Sequence, residues 1–383
     1  MKFSQTLIRW YEGAKRDLPW RHTDDPYRIL VSEVMLQQTR AATVIPYYER
    51  FLATYPTAVA LASAPESELL AMWSGLGYYS RARNLQRAAR VIGLDFPQQY
   101  AGIRALPGVG DYTAAAVASI AFGLPHAVLD GNVVRTMARV TNDAGDIRSP
   151  VVRRRLQAAA NERLDTKRPG LFNQAMMELG ATLCTPRKPQ CLLCPVVSVC
   201  EGRKAGRQDQ LPVALGKAKA IDEEVTLLLV RRDEQYLFWL RPAESKRLAG
   251  FYELPSAEQL PQATRGALIG AVKHSIVNHR YVIAVIEAKI ARPDDLLLSG
   301  SLENAQSRLS RDRRERATTL LSDAIEGESG PLPSVAARIG LPHDDPPVGF
   351  VWLHPGEAST RPISTIAKKA LRLLKKEANA RTT

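Results

Sequence analysis

Cysteine is almost missing from this chain: four residues in 383, all between Cys184 and Cys200. So few thiols, clustered in one place, exclude a disulfide-stapled scaffold. Long apolar runs are missing too. The most apolar stretch, Thr113 to Leu129, is interrupted by Gly123 and Pro125. It falls short of the ~20 residues that span a bilayer, so no transmembrane helix is expected. Arg9 and Glu12 lie where a secretory signal would need its apolar core, so the chain is expected to stay in the cytoplasm. Fixed-period repeats and low-complexity tracts are absent, which excludes solenoids. Acidic side chains are in deficit, with Asp+Glu 39 against Lys+Arg 52, a net charge of +13. That imbalance points to a polyanionic partner, nucleic acid first.

What is present divides in two. Up to about residue 205, Trp10, Ile29, Leu30, Leu69, Leu70, Leu85 and Met176 recur at helical spacing. Asp25 before Pro26 reads as an N-cap with proline in the first turn, and Gly123 closes the Ala-rich run from Thr113. Ser80 reads as another N-cap. This half is expected to be all-α. Residues 206–222 are basic and polar and read as a linker. From 223 to 383 short β-rich runs, Val225–Val230, Tyr236–Leu240, Tyr281–Ile286 and Val348–Leu353, predict a small α+β domain. Within it, 291–347 turns polar and charged and reads as an insertion, while Ile363–Lys376 predicts a basic helix.

The cysteines form a C-x6-C-x2-C-x5-C run, Cys184, Cys191, Cys194 and Cys200. In a reducing compartment such a cluster points to a metal centre. Zinc usually takes two tight pairs, whereas one tight pair with longer arms suits a [4Fe-4S] cube; the spacing alone leaves both open. Arg187 and Lys188 lie within the first arm and would suit phosphate.

Leu106-Pro107-Gly108-Val109-Gly110 sits between two helical segments, and its glycines permit the close backbone approach of a phosphate-binding turn. Asp130 follows about twenty residues later in Leu129-Asp130-Gly131-Asn132. By itself Asp130 reads as an N-cap worth about 1 kcal/mol. Hairpin, acidic residue and four-cysteine loop together resemble the helix-hairpin-helix DNA glycosylases that carry an iron-sulfur cluster. Within that superfamily Tyr112 stands where strand-cleaving members carry a lysine nucleophile. Leu18-Pro19-Trp20-Arg21, Ser32 to Thr39 (SEVMLQQT) and Gly75 to Arg81 (GLGYYSR) resemble the MutY-type adenine DNA glycosylases.

The resemblance covers almost all of the first 205 residues and implies a monofunctional glycosylase removing adenine opposite 8-oxoguanine or guanine. Glu33 shares a helix face with Ile29, Leu30, Leu36 and Gln37, surroundings that favour the neutral acid. By resemblance Glu33 protonates adenine, Asp130 stabilises the oxocarbenium sugar, and Tyr112 and Asn132 orient the pair. Trp20, Arg21, Leu36 and Glu178 are implied to line the adenine pocket. Gln38 and Tyr78 would wedge into the duplex. Arg81, Arg83, Gly108, Val109 and Gly110 would contact its phosphates. The four cysteines would hold a [4Fe-4S] cluster. A monomer acting on double-stranded DNA, associated with the nucleoid, is implied.

For the C-terminal region the resemblance implies a Nudix (MutT-like) domain reading 8-oxoguanine. Gly250 to Pro255 (GFYELP) resembles its landmark, although the hydrolase consensus is absent, so a reader without Mg²⁺ chemistry is expected. The reading loop corresponds to His274, Ser275, Ile276, Val277 and Asn278. Val277 lacks the hydroxyl that would bond the lesion, so Ser275, Asn278 or His279 substitutes or discrimination is relaxed. Two other readings fit the same fold: a thymine or uracil mismatch glycosylase, since pocket residues set base choice, and an inert DNA-binding scaffold.

Overall fold

A computed structural model describes residues 3–216, 220–242, 244–245, 248–276, 278–290, 346, 349–359 and 361–380. Val277 and, apart from Pro346, the charged stretch 291–347 lie outside the described residues. The chain divides into two compact units, Met1–Lys219 and Ala220–Thr383.

The first unit is helical: α1 (Phe3–Ala14), α2 (Pro26–Leu36), α3 (Ala41–Thr54), α4 (Ala58–Ser63), α5 (Glu66–Met72), α6 (Ser80–Ile92), α7 (Tyr100–Arg104), α8 (Asp111–Phe122), α9 (Gly131–Val140), α10 (Pro150–Arg163), α11 (Pro169–Thr182) and α12 (Glu201–Lys204). Local chemistry sets the boundaries. Asp25 caps α2, accepting from the Tyr27 and Arg28 amides, with Pro26 in the first turn. Gly123 ends α8 in the left-handed region at φ 64°. At α6 the N-cap is Tyr79, and Ser80 is already the first helical residue, so the expected serine cap does not form.

Helices α8 and α9 run through the core. The Ala114 to Ala118 run of α8 is buried, and small side chains there let neighbouring helices approach closely. Val133, Val134, Met137 and Ala138 of α9 pack with Leu7, Ile8 and Tyr11 of α1 and with Phe172, Ala175, Met176 and Leu179 of α11. Burial on this scale is the main stabilising term. It also fixes the N-termini of α8 and α9, where Tyr112 and Asp130 stand.

The second unit is α+β. Strands β1 (Ile221–Arg232), β2 (Gln235–Leu240), β3 (Tyr252–Glu253), β4 (Thr264–Ile276), β5 (His279–Lys289) and β6 (Phe350–Leu353) build a sheet in the order β3-β2-β1-β5-β4, with β6 on β2. β1 runs parallel to β5, and the other pairings are antiparallel. Helix α13 (Thr365–Ala380) lays Ala367 and Ala370 on a core of Leu227, Phe238, Val272, Ile283 and Val285.

Candidate active site

Glu33 lies in the last turns of α2 among buried neighbours and is itself only 4% exposed. Burial pushes its carboxyl up to about 7, and the charge of Asp130 acts in the same direction. Tyr112, in the first turn of α8, donates its hydroxyl to Glu33 Oε2 at 2.7 Å. That bond partly offsets the rise. Burial and the two nearby carboxylates push the phenol of Tyr112 well up, so it remains a donor. Its hydroxyl oxygen also lies 3.1 Å from Met177 Sδ. The phenol therefore has a second acceptor when Glu33 holds its own proton and can donate to Tyr112.

Asp130 does cap a helix, as its surroundings in the sequence suggest: Oδ1 accepts the Val133 amide at 2.7 Å. Its other oxygen, Oδ2, accepts from Asn132 Nδ2 at 3.1 Å. The chain of bonds continues, since Arg135 Nη2 donates to Asn132 Oδ1 at 2.9 Å and Arg135 Nε to the Cys184 carbonyl at 2.8 Å. Capping and this chain hold the carboxylate in one orientation beside Glu33. Glu33, Asp130, Tyr112 and Asn132 are thus brought together from three helices. The arrangement pairs one carboxyl that is neutral near pH 7 with a second carboxylate, which suits protonation of a leaving group and stabilisation of a cation.

Of the expected pocket residues, Glu178 on α11 is fully buried. Burial would raise its carboxyl, but hydrogen bonds from Arg16 and Arg21 outweigh this and bring it down to about 2. Arg16 grips both oxygens, Nε on Oε1 and Nη2 on Oε2 at 2.8 Å each, and Arg21 Nη2 reaches Oε2 at 2.6 Å. Trp20 is buried, edge-on to Tyr48 at 5.5 Å, and Leu36 is half-buried at the end of α2. Sequence reasoning missed Arg16 and Met177. A basic residue five positions before Arg21, and a sulfur next to Glu178, are the only signals the sequence offers for them.

Several expected phosphate contacts need correction. Arg81 is buried, and both terminal nitrogens of its guanidinium donate to backbone carbonyls of Val34, Met35, Gln37, Leu76 and Gly77, which turns it away from a phosphate. Arg83 pairs with Glu66 at 2.8 Å. In the hairpin, Val109 is buried and its amide donates to the Leu106 carbonyl, which closes the turn. Gly108 and Gly110 are the exposed positions. Gly108 sits at φ +76°, and a Cβ there would meet Asn84 Cβ at 2.5 Å. Gln38 and Tyr78 are both exposed, and both are non-glycine residues at positive φ, 56° and 48°.

All four cysteines line one pocket, together with Thr136, Arg139 and Gln208. Thr136 Oγ1 and Gln208 Oε1 are buried and without a partner there. Arg139, 2% exposed, points Nη1 at Cys184 Sγ, 3.3 Å away. Burial pushes the thiol of Cys194 up to about 11, and the neighbouring Cys184, Cys191 and Cys200 act in the same direction. Among the described residues no three His, Cys, Asp or Glu side chains converge on a point that would hold one ion.

In the second unit His274 and Ser275 are successive residues of β4, paired with Tyr281 and Arg280. Successive strand residues face opposite sides of the sheet, so the expected reading residues His274 and Ser275 stand on opposite faces of β4. His274 is half-buried with Lys369 Nζ 3.4 Å from Nδ1, whereas Ser275 is exposed. Asn278 sits between β4 and β5, and His279 is engaged by Glu223. Glu253, within the GFYELP segment, is held by an ion pair with Arg241.

Residues 31–162 match the family model for the helix-hairpin-helix GPD superfamily of base excision DNA repair proteins. An adenine DNA glycosylase of Mus musculus is 35% identical over 97% of this chain and 77% of its own length. One of Homo sapiens is 47% identical over 55% of this chain and 41% of its own. Among solved structures, a thermostable thymine-DNA glycosylase superposes with a TM-score of 0.49 and 32% identity over 53% of this chain and 95% of its own. With the Mus musculus relative 35% identical and matched over most of both lengths, and with the buried carboxyl of Glu33 near the end of one helix and the carboxylate of Asp130 capping another, the chain belongs to the adenine DNA glycosylase family of base excision repair enzymes.

Proposed function

We propose that this chain hydrolyses the N-glycosidic bond of adenine mispaired with 8-oxoguanine or guanine in duplex DNA, without cutting the strand. The observation that carries this reading is the Tyr112–Glu33 contact beside Asp130: a buried carboxyl tuned to about 7 next to a carboxylate fixed by a helix cap. Protonated Glu33 donates to a ring nitrogen of adenine, so the base departs neutral as the bond to C1′ breaks. Asp130 stabilises the cationic sugar, as carboxylates do in glycoside hydrolysis. Water then adds to C1′ and its proton returns to Glu33. During this cycle Tyr112 alternates between donating to Glu33 and donating to Met177, so neither state of Glu33 leaves a buried polar atom unsatisfied. Tyr112 offers no amine, so no Schiff base forms and the strand stays intact.

Before the bond breaks, the base must leave the stack, and exposed Gln38 and Tyr78 are the groups that would fill the gap. Trp20, Arg21, Leu36 and the Arg16–Arg21–Glu178 cluster would form the wall of the adenine pocket. Gly108 and Gly110 would present backbone to phosphate. Cys184, Cys191, Cys194 and Cys200 would hold a [4Fe-4S] cluster. Four soft donors around one pocket fit a polynuclear group, and the orphaned Thr136 hydroxyl fits a sulfur acceptor. Bound there, the cluster would staple the loop that carries Arg187 and Lys188. The second unit, read as Nudix-like, would sense 8-oxoguanine through the β4–β5 turn, with Asn278 and one of His274 or Ser275. A monomer in the cytoplasm, at the nucleoid, suits that work.

The test is single-turnover base release from a central A·8-oxoguanine pair and from A·G, read with and without alkali. Breakage that requires alkali, faster opposite 8-oxoguanine, is the expected result. Strand scission without alkali would refute the monofunctional mechanism, and equal rates opposite both purines would refute the reader.

A further inference from the structure

We propose that Arg81 is a positioning residue that holds the two duplex-facing loops, 37–40 and 75–79, as one unit. The proposal rests on the reading above that Gln38 and Tyr78 enter the DNA. Arg81 stands in the first turn of α6, where a cation opposes the helix dipole. Its acceptors belong to two other segments. Nη1 donates to the carbonyls of Val34 at 2.8 Å, Met35 at 2.9 Å and Gln37 at 2.7 Å. The first two end α2, where helical carbonyls lack intrahelical partners. Nη2 donates to the carbonyls of Leu76 at 2.9 Å and Gly77 at 3.1 Å, with Thr39 Oγ1 at 3.4 Å.

One guanidinium therefore ties the residue before Gln38 to the residue before Tyr78. Both of those neighbours sit at positive φ, a strained state for non-glycine residues that persists only where the surroundings enforce it. The Arg81 guanidinium also lies over the Tyr78 ring, 5.7 Å from its centroid, and over Trp73 at 5.5 Å, while Trp73 Nε1 donates to the Gly77 carbonyl at 3.2 Å. The planar fork is what makes this possible. Lysine has three donors on a single atom and cannot span carbonyls on both sides.

Arg81→Lys is the informative variant, since it keeps the charge and removes the fork. Both it and Tyr78→Ala are placed in a Glu33→Gln parent, where no base is released, and 2-aminopurine replaces adenine opposite 8-oxoguanine. Unstacking is read by 2-aminopurine fluorescence and binding by titration. Arg81→Lys is expected to weaken the unstacked complex about tenfold, on the order of losing the wedge. Adding Tyr78→Ala to it should cost little more, because both remove the same function. Additive losses, or an unstacked complex equal to the parent's, would overturn the proposal. If Tyr78→Ala and Gln38→Ala each unstack the base as the parent does, the wedge reading itself fails, a result distinct from failure of Arg81 alone. Amide hydrogen exchange of the free Arg81→Lys protein gives a second reading: faster exchange confined to 37–40 and 75–79 supports the assignment, and uniform loosening overturns it.

Discussion

Replacing Glu33 by Gln removes a buried charge without changing shape, and the consequence can be worked out with its sign. The carboxyl is held at about 7 in the folded protein, against an ordinary value near 4.5. Each pKa unit is worth about 1.4 kcal/mol, so ionising Glu33 costs the fold about 3 kcal/mol. Below pH ~4.5 the group is protonated in both folded and unfolded chains and the penalty is absent. As pH rises toward 7 the unfolded chain gives up its proton while the folded one keeps it, so stability falls; above 7 the penalty is complete. Glutamine cannot ionise, yet its amide oxygen still accepts from Tyr112. Glu33→Gln should therefore match the wild type at pH 4.5 and be more stable at pH 8 by up to about 3 kcal/mol. Urea unfolding of both proteins at the two pH values is the assay. A stability difference that does not change with pH would refute the raised carboxyl, and the acid role with it. In parallel, wild-type base release should fall as pH rises through about 7, and Glu33→Gln should lose at least about 100-fold at every pH.

Other outcomes follow from the same geometry. Asp130→Asn keeps the cap oxygen but loses the acceptor for Asn132 Nδ2, so stability should fall by only about 1 kcal/mol while single-turnover release collapses; release that falls no more than that loss of stability explains would make Asp130 a cap only. Glu178→Gln strips the counter-charge from Arg21 and should cost roughly 3 kcal/mol at pH 7 in thermal melts. Since the Glu178 carboxyl is lowered to about 2, that contribution is present above pH 4.5 and disappears as pH falls through 2, so the two proteins should converge in acid. Gly108→Ala must hold φ near +76° and push against Asn84, so it should lose more than about 1 kcal/mol and weaken duplex binding. Cys200→Ser should lose bound iron and sulfide, about four of each per chain in the wild type, and the visible absorbance with them; stoichiometric zinc in the wild type would contradict the cluster.

How much was legible in the sequence differs by region. Helix boundaries in the first unit were marked by short-range chemistry, Asp25 with Pro26 and Gly123 among them, which the structure repeats. The site carboxyls were legible through the motifs around them: alone, Glu33 was a residue on an apolar helix face and Asp130 an N-cap, and the resemblance carried by the hairpin, SEVMLQQT and GLGYYSR segments gave them their roles. Longer-range partners were not. The burial of Arg81 follows from where α2 ends relative to α6, forty-odd residues away in the chain, and the Arg16–Glu178 pair joins the segment just after α1 to α11. Strand β4 escaped notice because Gly266 and Gly270 dilute its β pattern and register shifts near Leu268 break its alternation. Strand pairing then separated His274 from Ser275, which linear proximity could not reveal.

The most direct test of the central claim identifies the base released in a single turnover from duplexes carrying A·8-oxoguanine, A·T and T·G, for the wild type and Glu33→Gln side by side. Free adenine from the A·8-oxoguanine duplex alone, abolished by Glu33→Gln, is the predicted result. Release of thymine from T·G, or adenine release that survives Glu33→Gln, would contradict it.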